Sequence, residues 1–373
     1  MKIFWIGPLI PSKEINNWVA ASPAAIKWQL NLIKCLIKNK SNLEWLYYRP
    51  EVYWPKGRLL PSLANIQTKF SFKSTQIKYF NFPGARNSSL KSYLKKILYE
   101  KHKINKSEPL ILISYNGPKW ISDIFSDIEI SSKFKKIYVA ADNALNDNAD
   151  GYVFLSYDYF KKFKTKKHKL HLDGGIYHNN KNKMIKKKNS KNKKIFLYTG
   201  SFHRWGGAKM LLKAIKYIKY QNFEIWFSGP GNAKTFELAA KKDFRIKYLG
   251  LVSDKMLLKL YQKADVFLNP RPTNMQGNQF NFPSKLLDYL AWNKPIISTW
   301  NKSLSPFYKK ILYIANNDPK SFASAIIKYL DVKKKINTEN KKILIEKSWI
   351  NESKKLINLI RKITLKHEKK EKN

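Results

Sequence analysis

The stretch "IFLYTGSFHRWGGAKMLLKAIKYIKYQNFEIWFSG", residues 195–229, sets the architecture. A continuous apolar run ends on Gly200, a short polar loop with two more glycines follows, and residues 208–218 carry Met, Leu, Ala and Ile at helical spacing. A second apolar run, 223–229, again closes on glycine. Strand, glycine loop, helix and strand form the unit of a parallel sheet, because parallel neighbours need a crossover long enough to hold a helix. The rhythm continues through "KTFELAAKK" (234–242), "IKYLG" (246–250), "DKMLLKLYQKA" (254–264), "DVFLNP" (265–270) and "PIIST" (295–299).

The same alternation fills the first half of the chain. "KIFWIG" (2–7), "LEWLYYR" (43–49), "ILISY" (111–115), "KKIYVAA" (135–141) and "GYVFLS" (151–156) read as strands. Between them, "AAIKWQLNLIKCLIK" (24–38), opened by the cap-and-proline pair Ser22-Pro23, and "SLKSYLKKILYEKHK" (89–103) read as helices. Residues 179–194, "NNKNKMIKKKNSKNKK", hold only two apolar side chains, Met184 and Ile185, and read as a solvated linker. The expectation is an N-terminal domain over 1–178, that linker, and a C-terminal domain over 195–345. A last amphipathic helix spans 346–365, and 366–373 form a charged tail. Two doubly wound domains facing each other would place strand C-termini and helix N-termini around one cleft, where open α/β sheets bind ligands.

Composition excludes several classes. One cysteine in 373 residues rules out a disulfide framework and a cysteine zinc site, and fits a reducing compartment. No run approaches twenty apolar residues, and "MKIFWIGPLI" is too short for a signal peptide, so a cytoplasmic protein is expected. The formal charge of +46 invites a nucleic-acid reading, but only seven of the 72 basic residues are Arg. Arg is the usual tool for bidentate contacts to bases and phosphates, and Lys the usual solvated charge. A generic basic surface with peripheral attraction to anionic membrane is therefore expected, with no specific nucleic acid.

Chemistry gathers after the strands of the second half. Gly200, Ser201 and Arg204 follow the first strand, Gly229 and Gly231 the second, and Arg271 the segment "DVFLNP". Glycines let backbone N–H groups approach an anion. In "NQFNFPSKLLDYLAWNKPIISTW" (278–300), Leu286, Leu287, Leu290 and Ala291 make a buried stripe, and Asn293 suits a left-handed C-terminal cap. Ser284, Lys285 and Asp288 share another face. A helix mouth with a lysine suits phosphate, and a carboxylate one turn deeper suits hydroxyl donors; phosphate beside sugar hydroxyls describes a nucleotide. A surface helix with a Lys–Asp pair is the alternative.

The segments "YTGSFHRWGG", "FSGPGN", "KYLGLVSDKMLLKLYQKADVFLNPR" and "NFPSKLLDYLAWNKPIIST" resemble, in order and spacing, the GT-B glycosyltransferases of the retaining family 4 type that contain "FPSK". The resemblance covers roughly residues 195–300. It implies two Rossmann-like α/β domains facing across a cleft, with the C-terminal helix returning to the N-terminal domain. A nucleotide-sugar donor would be held by the second domain and a saccharide or lipid-linked acceptor by the first. Transfer would proceed with retention and without metal or cofactor, in cell-envelope or exopolysaccharide synthesis. Asp288 stands where the family binds the donor ribose, Ser284 and Lys285 where it meets the diphosphate, and Val252 near the base. Phe282 and Pro283 belong to the same block.

The sequence departs from that pattern at Phe280, where the family often has a glutamate near the donor sugar. It departs again at "SYNGPKW" (114–120), which lacks the histidine often found there. A catalytically degenerate nucleotide-sugar-binding protein of the same fold is the runner-up, and a basic nucleic-acid-binding protein the more distant one. For catalysis, Arg204 and Lys285 would stabilise the departing diphosphate, since no DxD pair is present to recruit a divalent ion. Ser22, Asn116, Asp142 and Asn143, at strand ends and a helix start in the first domain, are acceptor candidates. Trp28 and Trp120 offer faces for sugar stacking, although tryptophans at such spacings usually pack in cores.

Overall fold

The opening apolar run becomes β1, Lys2–Pro8, and its Ile3, Phe4, Trp5 and Ile6 are fully buried, as expected of a parallel strand covered on both faces. The computed structural model describes residues 1–10, 22–61, 72–141, 148–177, 193–275, 277–278, 281–331 and 344–368. Helix α1, Pro23–Lys38, follows β1; the Ser22 hydroxyl accepts the Ala25 N–H at 3.4 Å and Pro23 fills the first turn. Strands β2 (Asn42–Tyr48) and β3 (Lys73–Gln76), helix α2 (Arg86–Ile104) and strand β4 (Leu110–Tyr115) come next. Short helices α3 (Lys119–Ser126) and α4 (Ile128–Lys133) lead to β5 (Lys135–Ala140) and β6 (Gly151–Phe154). Helix α5 (Tyr157–Lys162) and β7 (His168–His171) complete this half. The seven strands pair in the order β3-β2-β1-β4-β5-β6-β7, all parallel.

The second sheet is built from β8 (Lys194–Thr199), β9 (Phe223–Ser228), β10 (Ile246–Tyr248), β11 (Val266–Asn269), β12 (Ile296–Thr299) and β13 (Tyr313–Ala315). The order is β10-β9-β8-β11-β12-β13, again parallel throughout. Its helices are α6 (Ala208–Ile215), α7 (Lys234–Lys242), α8 (Asp254–Lys263), α9 (Lys285–Leu290) and α10 (Pro319–Asp331). Apolar faces of α6 and α10 bury Leu211, Ile215, Phe322 and Ile326 with the Phe196, Phe223 and Ile225 side of the sheet. In each sheet the winding reverses beside its first strand, at β1/β4 and at β8/β11.

The chain divides into two units, and the first is not continuous in sequence. It comprises residues 1–155, 159–175 and 349–373, so the last helix, α11 (Trp349–Glu368), belongs to it. Trp349 packs edge-on against Trp28 of α1 at 5.9 Å, and the Asn39 amide donates to Ser353 Oγ at 2.7 Å. The second unit comprises 156–158 and 176–348. Of the expected linker, residues 179–192 lie outside the described residues, and Lys194 is already the first residue of β8. Of the expected charged tail, 369–373 lie outside them as well.

Candidate functional site

The reversal of winding at β8/β11 fixes where a ligand of the second unit belongs, outside the C-terminal ends of those two strands. Gly200 directly follows β8, and Arg271 follows β11 by two residues. Gly200 adopts φ +144° and donates its N–H to the Ser228 carbonyl at 2.9 Å. A Cβ there would come to 2.5 Å from Lys285 Nζ, so only glycine lets the lysine reach over the strand end. Gly229, φ +152°, ends β9 with its backbone against the Gly200 carbonyl, where a side chain would collide. The Gly229 N–H in turn donates to the Gly250 carbonyl at 3.0 Å. Bare backbone therefore lines the ends of three adjacent strands.

Lys285 brings a cation to this surface. The residue is half-buried, yet its ammonium is ringed by protein: the Tyr198 ring lies 4.4 Å away and the Gly200 backbone beneath it. Burial first, and then the nearby Arg271 charge, bring its pKa down to about 7. The ring beneath is itself fixed, since the Tyr198 hydroxyl donates to the Ser201 carbonyl at 2.7 Å and to the Gly206 carbonyl at 3.2 Å. Burial holds that phenol well above its usual range, so it stays a neutral donor.

Helix α9 differs from the expected helix mouth. It is a short helix, Lys285–Leu290, and Ser284 makes no side-chain cap. The Leu286 and Leu287 N–H groups donate to Pro283 and Ser284 carbonyls at 2.9 and 3.1 Å, so tight turns already use them. An anion at this end would meet the Lys285 side chain rather than the N–H groups of a long helix. Phe282 is buried against Tyr308, ring centroids 5.7 Å apart, and Pro283 is buried too, so both position Ser284 and Lys285 by packing. Asn293 takes φ +50° beyond the helix, the left-handed end expected of it.

A hydroxyl cluster that the sequence reading missed ties α9 to the end of β8. The Tyr289 hydroxyl accepts the Thr199 N–H at 3.0 Å and lies 3.0 Å from Thr199 Oγ1, and the Tyr261 hydroxyl lies 3.4 Å from that oxygen. Tyr289 stacks on Phe267 at 4.5 Å. Asp288, half-buried beside this cluster, is near enough that its charge helps raise both tyrosine pKa values, after burial as the main cause. Asn278, also unassigned from sequence, is buried and donates to the Pro272 and Trp205 carbonyls at 2.8 and 3.2 Å. Only the appearance of Tyr and Asn among otherwise apolar positions hinted at these roles.

Arg204 lies in the loop after β8. It is exposed, stacks on Trp205 at 4.8 Å, and lines a cavity of about 290 Å³ with His203, Lys209, Lys213 and Pro272. Ser201 Oγ accepts the His203 N–H at 3.2 Å, Gly231 abuts Phe202, and Val252 is half-buried in the loop after β10. In the first unit, Ser22 caps α1, and Asn116, φ +45°, donates its N–H to Val139 at 2.7 Å beyond β4. Trp28 and Trp120 are buried in the core and offer no sugar face. Asp142, Asn143 and Phe280 lie outside the described residues. Asp150 accepts the Lys136 N–H at 2.8 Å and so ties the start of β6 to β5. Among the described residues, no three His, Cys, Asp or Glu side chains gather as a metal site, and no helix is long and apolar enough to cross a membrane.

The unit that carries Lys285 is also where family similarity falls: residues 193–331 match the family described as Glycosyl transferases group 1. Comparison with curated proteins gives no sequence match. Solved structures match along nearly the whole chain. A lipopolysaccharide outer core galactosyltransferase, WaaB, has a TM-score of 0.68 at 13% identity, covering 97% of this chain and 99% of its own. The corresponding values are 0.66, 12%, 98% and 99% for sucrose-phosphate synthase from Thermosynechococcus elongatus. For Anabaena HepE, in complex with UDP and glucose, they are 0.63, 11%, 97% and 100%. The fold is GT-B. Together with the family match over residues 193–331, it supports a GT-B glycosyltransferase.

Proposed function

We propose that this protein transfers a sugar from a nucleotide-sugar donor to a saccharide or lipid-linked acceptor in cell-envelope or exopolysaccharide synthesis. In this reading it is a retaining enzyme of the family 4 type that needs no metal. The observation that carries the proposal is the Lys285 ammonium laid over Gly200 at the β8/β11 switch point, inside the segment that matches Glycosyl transferases group 1. A diphosphate leaving group gathers negative charge as the glycosidic bond breaks. Fixed cations at that position stabilise the transition state more than the ground state. Lys285 and Arg271 supply them, and Arg204 adds a third from the loop after β8. Bare backbone at Gly200 and Gly229 admits the diphosphate closely, and Asp288 takes the ribose hydroxyls.

Titration of the protein with UDP, GDP and dTDP, followed by turnover of the matching sugar nucleotides, tests this reading. One nucleotide should bind, and its sugar conjugate should turn over at an unchanged rate in EDTA. Lys285→Ala should weaken that nucleotide by about 10- to 100-fold, the worth of a charge-assisted contact, with the fold intact. Equal affinity in the variant would remove Lys285 from the diphosphate site. Tight nucleotide binding without turnover of any sugar conjugate would instead mark a binding protein.

A further inference from the structure

The first unit carries a surface built the wrong way round for a soluble loop. Tyr53, Trp54 and Leu60 on one segment, and Phe80 and Phe82 on another, are each between 41% and 48% exposed. The rings form a strip, with Trp54 to Phe82 at 5.7 Å and Phe82 to Phe80 at 6.1 Å, and interplanar angles of 31° and 26°. What lies beneath them is polar. Asn81 is fully buried, and its amide donates to the Val52 and Arg58 carbonyls, both at 2.7 Å. Its backbone N–H donates to Leu59 at 2.8 Å, and its carbonyl accepts the Trp54 N–H at 3.2 Å. Arg86 donates to Asn81 Oδ1 at 2.7 Å and to the Glu51 carbonyl at 2.9 Å, and lies over the Tyr53 ring at 3.6 Å. This hydrogen-bonded knot around Asn81 fixes two segments in one conformation and leaves their rings outside, so the strip is held by structure rather than by incomplete collapse.

The charge around the strip selects what covers it. Apart from the Tyr53 hydroxyl, the exposed polar side chains of 53–60 and 78–84 are Lys56, Arg58 and Lys78. Between residues 50 and 99 the chain has one carboxylate short of Glu100, Glu51, against nine Lys or Arg. Aromatic rings that sit at the headgroup level of a bilayer, flanked by cations worth about 1 kcal/mol each near anionic lipid, are the two signals that together hold a protein on a membrane. A saccharide platform would surround its rings with amides and carboxylates that hydrogen-bond hydroxyls, and this strip has cations in their place. We propose that the Tyr53–Trp54 and Phe80–Phe82 strip is an interfacial membrane-docking surface that inserts its rings into anionic bilayers. This does not rest on the donor site, and either reading can fail while the other stands.

Because a chain of charge +46 will meet anionic vesicles through any lysine-rich face, the test separates ring insertion from bulk attraction. The full chain is floated with phosphatidylcholine vesicles, with and without phosphatidylglycerol, in rising salt. Wild type should keep a bound fraction above about 0.15 M salt on the anionic vesicles. The double substitution Trp54→Ala with Phe82→Ala should lose that fraction, by about tenfold in partition. Tyr217→Ala with Tyr220→Ala, which removes two exposed rings from the second unit, should keep it. Lipids with brominated acyl chains should quench wild-type tryptophan fluorescence more than that of Trp54→Phe, a variant expected to bind normally. Equal binding of the two double variants, or equal quenching in wild type and Trp54→Phe, would overturn the proposal. So would a soluble oligosaccharide that shifts Trp54 fluorescence when vesicles do not.

Discussion

At the scale of one residue, the Lys285 cation carries a cost in stability that the proposed diphosphate would offset. Its pKa of about 7 means that, without ligand, the side chain is part-neutral at physiological pH. The unfolded chain keeps that lysine protonated up to about 10.4. Between pH 7 and that value the unfolded state binds more protons, so this group's contribution to stability rises with pH across the window. Below pH 7 the cost of the half-buried cation is borne in full. Lys285→Met should therefore raise the thermal midpoint at pH 7 by roughly 2–4 °C per kcal/mol recovered, while removing diphosphate affinity. Ligand reverses the sign, because an arriving diphosphate favours the ammonium. Nucleotide binding at pH 8 should take up close to one proton, and affinity should fall about tenfold per unit above pH 7. Calorimetry in buffers of different ionisation enthalpy reads that uptake. Binding heats that do not change between buffers would mean that Lys285 stays charged throughout.

At the scale of the element, the short helix α9 is held less by its own turns than by Tyr289. Its six residues satisfy few backbone groups, and hydrogen bonds from its first turns run only three residues back. The Tyr289 hydroxyl joins the helix to Thr199, the residue before Gly200, so one side chain sets the height of Lys285 above the glycine. Tyr289→Phe keeps the stack on Phe267 and should cost about 1–2 kcal/mol in urea unfolding. The amides of Thr199 and Gly200 should then exchange hydrogen faster. Unchanged exchange there would show that packing alone seats the helix. This is also where the sequence reading stopped. The stripe of Leu286, Leu287 and Leu290 was legible because burial repeats at helical spacing, but a buried hydroxyl leaves no periodic mark. Strands β3, "KSTQ", and β7, "HKLH", were missed for a related reason. Each pairs on one side only, lies at a sheet edge, and so needs no apolar run. The central strands, closed on both faces, announced themselves, as did the glycines that end them.

At the scale of the molecule, the two sheets lie in separate units, and β1 and α11 belong to the same one. The last helix was legible as amphipathic, but its destination was not, because an apolar stripe names no partner; only the resemblance pointed to it. In the structure that stripe closes the first unit: Trp349 is buried against Trp28, Leu356 and Ile360 are fully covered, and Ser353 holds Asn39 at the end of α1. The side chains assigned to the donor, from Gly200 to Asp288, all lie in the second unit. Stability and nucleotide affinity should therefore come apart under substitution. Trp349→Ala opens a cavity in the first unit and should cost about 3–5 kcal/mol, displacing the unfolding transition that reports Trp28. Nucleotide affinity, measured well below that transition, should be unchanged, since α11 lies outside the unit that carries the proposed donor site. Multi-unit chains need not unfold in one step, so the two quantities are best read on the same samples across a denaturant series. Loss of nucleotide affinity in step with the first unit would show that the second cannot hold its strand-end glycines in place alone.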